Sequence, residues 1–267
     1  MKCGFIGCGN MGGALAAAVR KGNAEIELFL ADNDTEKRDL QCKTLHATAV
    51  MVEQITKDCD VFFIGVKPQG IKGLLEQIAP LLKNRNVAPI IITMAAGVTT
   101  NTITDLIGAV LPVVRIMPNT PVLLGCGMIE VCKNDAVSDE QLALALDLLK
   151  EAGRLDVIPE DLIDAASALS GSGPAFAYYF AEQLMAGAKQ CGIPEDKLVE
   201  YTAQTLLGAA KMMLKGDKTP EELRIAVCSP GGSTLAGLTA MQTEAFDTAV
   251  QDTVKRAFAR SKELGKV

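Results

Sequence analysis

The sequence predicts an α/β protein, a doubly wound parallel sheet in the N-terminal part followed by a smaller all-α part. Three observations predict it. From Lys2 to about Val157, short apolar runs alternate with helical patterns, the order that βαβ units produce. A glycine-rich stretch, Gly7-Cys8-Gly9-Asn10-Met11-Gly12, follows the first run and opens a helical pattern over 14–21. Beyond Pro159 the β-branched runs vanish and long helical stretches take over. The expected division is therefore 1–158 and 159–267, in keeping with 267 residues being more than a usual single domain.

In chain order, the strand candidates are 3–6, 26–31, a weak run at 48–50, 61–66, 89–94, 113–117, 128–131 and 155–158. Val61-Phe62-Phe63-Ile64 and Ile90-Ile91-Ile92 are apolar without alternation, as strands covered on both faces by helices must be, so these two are expected at the centre of the sheet. In the helical part, Ser170-Gly171-Ser172-Gly173-Pro174 is a start signal for a helix over 175–191, because proline fits a first helical turn. A second long helix covers 201–214. Thr219-Pro220-Glu221-Glu222 combines an N-cap, Pro at the first position and Glu at the third, the reciprocal capping box. Phe246, Val250, Val254 and Phe258 recur every four residues, with Lys255, Arg256, Arg260 and Lys262 toward the end where the dipole favours cations, which predicts a terminal amphipathic helix. The helices over 175–191 and 201–214 carry more apolar surface than a part of about 110 residues can bury alone, so pairing of subunits is expected.

Hydrophobic residues make up 49% and charged residues 22%, the profile of a chain that buries a core. The net charge of -6 and a pI near 5.0 give no electrostatic support for nucleic acid as a partner. Eight cysteines form no C-x-x-C pair and no cluster spaced with histidine, so no metal site is expected and free thiols in a reducing cytoplasm are. The N-terminus shows no signal-peptide profile, and no apolar run approaches the ~18–20 residues of a membrane span.

The glycine stretch sits where a dinucleotide-binding turn needs it, after a strand and before a helix. Gly7 allows the tight turn, Gly9 lets backbone approach a pyrophosphate, and Gly12 lets helix and strand pack closely, with the Asn10-Met11 backbone opening the helix toward the phosphates. Asp32, at the end of the second run, stands at the offset of about 20 residues expected of a carboxylate reaching the adenosine ribose, which favours NADH. Asn33, Lys37 and Arg38 lie close enough in sequence to serve a 2′-phosphate, so NADPH stays open. Asp34 reads as a helix cap. Val66-Lys67-Pro68 and Ala95-Ala96-Gly97 fall at strand ends where ligands bind in open α/β sheets, and Asn119 offers a donor and an acceptor in a third such loop. The bland alternative for the first two is ordinary turn chemistry, and for the third that its proline merely terminates the strand.

His46, the only histidine, is remote in sequence from every candidate loop, so a histidine base is not expected. Lys189 is the one lysine placed to act as an acid, against the plainer reading of a surface lysine. The loops 170–174 and 229–234 both lead into helix starts. Each reads either as a receptor for a carboxylate or as simple capping.

Gly4-Phe5-Ile6-Gly7-Cys8-Gly9-Asn10-Met11-Gly12, Val66-Lys67-Pro68, Ala95-Ala96-Gly97-Val98, Asn119-Thr120-Pro121 and Leu169-Ser170-Gly171-Ser172-Gly173-Pro174-Ala175 resemble blocks of the pyrroline-5-carboxylate reductases, in that family's order. The run from Pro220 through Leu223, Val227, Ser229, Gly231-Gly232, Thr234, Gly237 and Leu238 to Met241-Gln242 resembles its signature. The resemblance implies a Rossmann domain, a helical dimerisation domain, and a ring of dimers as in many members. It implies a small-molecule substrate, a cyclic imine reduced by NADPH or NADH to proline. Thr234 would hydrogen-bond the ring nitrogen, Ser229 with the backbone of Gly231, Gly232 and Ser233 would hold the carboxylate, and Ala95, Ala96 and Gly97 would line the nicotinamide. An imine that enters protonated asks only for positioning and a hydrogen bond, which suits a chain without a histidine base. Val52 and acidic Asp32 depart from the family's usual residues at the adenosine end. The rival readings are a β-hydroxyacid dehydrogenase with Lys189 as acid, and a non-catalytic nucleotide-sensing module.

Overall fold

The computed structural model of the chain describes residues 1–264. All eight expected runs form strands: β1 (Lys2–Ile6), β2 (Glu27–Ala31), β3 (Thr48–Ala49), β4 (Val61–Ile64), β5 (Ile90–Thr93), β6 (Val113–Pro118), β7 (Gly127–Lys133) and β8 (Gly153–Val157). They make one sheet in the order β3-β2-β1-β4-β5-β6-β7-β8. β4 and β5 are central, and every residue of both is buried, as their unbroken apolar sequences require.

The first six strands are parallel, but the expectation of a wholly parallel sheet is corrected at its far side. β7 pairs antiparallel to β6, with Arg115 opposite Cys132 and Met117 opposite Glu130, and β8 then runs parallel to β7. The reason is the length of the link. Only the 3₁₀ turn Thr120–Leu124 joins β6 to β7, whereas a parallel crossover needs a dozen or more residues. The helix between β7 and β8, α6 (Asp139–Leu149), supplies such a crossover.

Helices cover both faces. α1 (Asn10–Gly22) and α6 pack on one face through Leu15, Val19, Leu148 and Leu149, over Phe5, Phe63 and Ile92, and α2 (Thr35–Leu45) adds Cys42 and Leu45. On the other face α3 (Val52–Asp58), α4 (Pro68–Lys83) and α5 (Thr100–Ile107) bury Ile55, Leu75, Ile78 and Ile103 over Phe62, Ile64 and Ile91. Each such side chain contributes about 1.5–3 kcal/mol on burial. Phe5 and Phe63 stack across β1 and β4, ring centroids 4.3 Å apart. His46 ends α2 at a φ of 50°, exposed and left-handed, so the lone histidine is a helix terminator.

The chain divides into two compact units, Met1–Pro174 joined by the chain from Ala257, and Ala175–Arg256. The first helix after the expected boundary at 158, α7 (Glu160–Ser170), therefore belongs with the sheet: Ile163 is fully buried against Met117 and Cys132, and two of its carboxylates pair with Arg115. The remaining helices are α8 (Gly173–Gln190), α9 (Glu195–Lys215), α10 (Pro220–Ala226), α11 (Ser233–Thr243) and α12 (Phe246–Leu264). α10 carries the anticipated capping box, Thr219 Oγ1 accepting from Glu222 N–H while Glu222 accepts from Thr219 N–H. The helical unit has little interior of its own. α8, α10 and α11 bury no residue and α9 buries only Leu198, while Tyr178, Tyr179, Tyr201, Met212, Ile225 and Leu235 are exposed.

Candidate functional site

β1 lies between β2 and β4, and the chain leaves the sheet in opposite directions on its two sides, so the loops after β1, β2, β4, β5 and β6 gather at the strands' carboxyl ends around a switch point. Each glycine of the first loop meets a different constraint there. Gly7 has a φ of 96°, and a Cβ on it would lie 2.7 Å from the carbonyl carbon of Gly65 in the loop after β4. A Cβ on Gly12 would overlap the carbonyl oxygen of Gly7. At Gly9 nothing lies within 4 Å of where a Cβ would be. Turn, close packing and open space thus fall on the glycines as pyrophosphate binding requires, and the loop fits a dinucleotide. Sequence reading missed Gly65, although a glycine directly after the run 61–64 was its signal.

Asp32 follows β2 and faces this loop: its Oδ2 accepts from the backbone N–H of Cys8 and its Oδ1 from that of Asp34 at 2.9 Å. Gln41, also missed, braces the loop from α2 by donating to Cys8 O at 3.0 Å. Asp34 caps α2 by accepting from Lys37 N–H, as expected. Asn10 is exposed and its Oδ1 accepts from Lys37 Nζ at 3.3 Å, while Met11 packs partly buried against the core and Asn33 is exposed. Val66 packs on the core beneath α4, Lys67 is exposed at the N-cap of α4, and Pro68 opens that helix. After β5, Ala95 is buried, Ala96 is partly buried beside Met117, and Gly97 turns the chain at a φ of 74°.

Asn119 is more committed than the sequence suggests. Its Nδ2 donates to Ser170 O at 3.0 Å and its Oδ1 accepts from Met128 N–H at 2.9 Å, so it clamps the end of α7 to the start of β7. The other end of α7 is held by a network that sequence reading did not anticipate. Arg115, 1% exposed, pairs with Asp164 at 2.7 Å and Glu160 at 3.5 Å, and Glu160 accepts from both the N–H and the hydroxyl of Thr100 at 2.8 Å. Thr100 opens α5 directly after the Ala95-Ala96-Gly97 turn, so the network anchors that turn's downstream side.

Helix starts separate binding from mere capping. α2, α5, α6 and α10 have side-chain caps, and α3, α7 and α9 carry acids in their first turns. α1, α4 and α11 have neither, which leaves their first N–H groups and the positive end of the dipole free for an anion. α1 and α4 begin at the dinucleotide loops. α11 begins at the 229–234 loop, with Gly232 as its N-cap and Gly231 at a φ of 70°, and Ser229, Gly231, Ser233 and Thr234 exposed. By contrast the 170–174 loop is spent on the end of α7, where Gly171 and Ser172 N–H donate to Ser167 O. Lys189 is a surface residue paired with Glu195 at 3.0 Å.

A glycine-loop sheet unit with a carboxylate at the end of β2 against the loop, followed by a helical unit in which α11 starts uncapped, acid-free and with hydroxyls, is the arrangement of an NAD(P)-dependent oxidoreductase. Residues 2–97 match the family model described as NADP oxidoreductase coenzyme F420-dependent, and residues 160–264 match that described as pyrroline-5-carboxylate reductase dimerisation. The chain is 33% identical to pyrroline-5-carboxylate reductase 3 of Rattus norvegicus, over 99% of this chain and 96% of that protein. It is 34% identical to pyrroline-5-carboxylate reductase of Corynebacterium melassecola, over 98% and 97%. The crystal structure of the Plasmodium falciparum pyrroline carboxylate reductase with NADP bound matches with a TM-score of 0.89 at 29% identity, over 100% of this chain and 98% of that one. The chain belongs to the pyrroline-5-carboxylate reductase family. A 3-hydroxyisobutyrate dehydrogenase of Mycobacterium tuberculosis, at 12% identity and a TM-score of 0.55, shares the fold alone.

Proposed function

We infer that the protein reduces the C=N bond of 1-pyrroline-5-carboxylate with NADPH or NADH, giving L-proline. The observation that carries this reading is the bare N-terminus of α11, with Thr234 and Ser229 hydroxyls beside free backbone donors. Ser229 and the N–H groups around Gly231, Gly232 and Ser233 hold the substrate carboxylate, because donors at a helix start bind an anion without a titrating partner. The Thr234 hydroxyl accepts from the protonated ring nitrogen and orients the imine carbon. When bound, the reduced nicotinamide supplies the hydride. The turn of Ala95, Ala96 and Gly97 lines its ring, and Lys67 and Pro68 with the start of α4 border the phosphate side. Positioning and electrostatics do the work, and no side chain has to trade a proton.

The sheet unit, which α7 joins past the expected boundary at 158, binds the dinucleotide, and the helices beyond Pro174 bind substrate and pair subunits. The exposed tyrosines, methionines and leucines of the helical unit are covered by a second copy in a homodimer, which further assembles as a ring of dimers. Eight unbridged thiols suit work in a reducing cytoplasm. Among the described residues no helix is long and apolar enough to cross a membrane.

The test is steady-state proline formation from the imine with each nucleotide. Thr234→Ala lowers kcat by about 10–100-fold, the worth of a charge-assisted hydrogen bond, and leaves dinucleotide Kd within twofold. No turnover with either nucleotide, or equal loss of kcat and nucleotide affinity in the variant, sinks the assignment.

A further inference from the structure

Residues 32–39 read Asp-Asn-Asp-Thr-Glu-Lys-Arg-Asp, four carboxylates against two cations at the adenosine end of the dinucleotide loop. The carboxylate of Asp32 is not free to swing away. Its two oxygens are held by the backbone N–H groups of Cys8, within the glycine loop, and of Asp34, at the start of the next helix. Asp32 stands where β2 ends beside the loop, so whatever occupies that corner meets a fixed negative charge.

Neither nearby cation offsets it. Arg38 is the residue that could grip a phosphate with its planar fork, yet its Nε and Nη2 both lie 2.8 Å from Asp39 Oδ1 and its side chain is only 16% exposed. Lys37 Nζ reaches back to the Asn10 amide oxygen at 3.3 Å, and its backbone N–H caps onto Asp34. The two groups that could pair with a 2′-phosphate therefore already have partners at the loop–helix junction, and the surplus charge there is negative. A ribose hydroxyl can donate to Asp32, whereas a phosphate dianion in its place can only be repelled.

We propose that this protein selects NADH over NADPH, with Asp32 as the specificity-determining residue and Asp39 as the partner that withholds Arg38 from a 2′-phosphate. The proposal rests on the dinucleotide site of the reading above and not on the identity of the imine.

The test is binding to the full-length protein, followed by nicotinamide fluorescence and by the shift in melting temperature with NADH and NADPH at matched concentrations. The chain has no tryptophan, so the nucleotide signal is free of that background. NADH is expected to bind at least tenfold more tightly than NADPH at low salt, with the gap narrowing as ionic strength rises, because the discrimination is a charge repulsion. Asp39→Ala removes the acceptor, frees the Arg38 guanidinium and should narrow the ratio at least threefold. Asp32→Ser, which keeps one acceptor for the Cys8 N–H, should reverse it. NADPH binding as tightly as NADH in the unaltered protein overturns the proposal, and so does a ratio unmoved by Asp39→Ala, a truncation at a surface position that leaves the fold intact. Tight NADH binding without imine reduction would instead sink the functional reading and leave this one standing.

Discussion

Gly9 and Gly12 lie in one motif, yet an added methyl should do opposite things at the two positions. Gly9 has φ -60° and ψ -168°, backbone angles that alanine adopts freely, and nothing within 4 Å of a Cβ. Gly9→Ala restricts the unfolded chain, a gain of about 0.4–1 kcal/mol, and makes a poorer N-cap, a loss of similar size. Net stability should thus change by less than about 1 kcal/mol. The methyl, however, occupies the space through which a pyrophosphate oxygen must approach the N–H groups of α1. Losing one charge-assisted hydrogen bond there costs about 1.5–3 kcal/mol, or one to two orders of magnitude in dinucleotide Kd. Gly12→Ala instead forces a Cβ onto the Gly7 carbonyl oxygen, backbone against backbone, and should cost about 1–3 kcal/mol of stability by overpacking. Urea unfolding of each variant, paired with nucleotide titration by fluorescence, separates the effects. Wild-type affinity in Gly9→Ala would refute the placement of the pyrophosphate. Destabilisation of Gly9→Ala equal to that of Gly12→Ala would refute the reading of open against filled space.

Four further outcomes are expected. Asp164→Ala strands part of the buried Arg115 guanidinium and should cost about 3–5 kcal/mol, while the pair Arg115→Met with Asp164→Leu costs clearly less; denaturant unfolding of both distinguishes an ion pair needed for balance from one needed for packing. Burial pushes the Cys8, Cys59 and Cys132 thiols up to about 12 from the ordinary 9.0, so exposed Cys126 should react with a thiol reagent at pH 8 long before they do. Because those folded values are raised, the unfolded chain loses its thiol protons first, and stability should fall as pH climbs past about 9, read by melting temperature across pH 7–10.5. Lys189→Ala removes an exposed pair with Glu195 worth at most about 1 kcal/mol and should leave imine reduction within twofold; abolished activity would revive a lysine acid of the hydroxyacid-dehydrogenase kind.

The strands were legible because burial on both faces leaves an unmistakable mark: the runs 61–64 and 90–92 have no polar side, and both stand at the middle of the sheet. Helix starts were equally plain where the capping chemistry is local, as at Asp34 and at Thr219 with Glu222. The glycine loop was readable for the same reason, since turn, approach and close packing are each demands on a single residue without a side chain.

What lay outside the sequence was everything set by which groups meet across the fold. The direction of β7 followed from a link too short for a crossover, and α7 stayed with the sheet because a buried arginine two strands away needed its carboxylates. Asn119 looked like a ligand because its amide can donate and accept, and only the folded chain showed both ends already engaged with Ser170 and Met128. The chain's letters determined the periodicities, the caps and the chemistry available, which are properties of neighbours along the backbone. Tertiary structure decided which charges are spent and which donors stay free, because pairing depends on distances that close only once residues far apart in sequence are packed together.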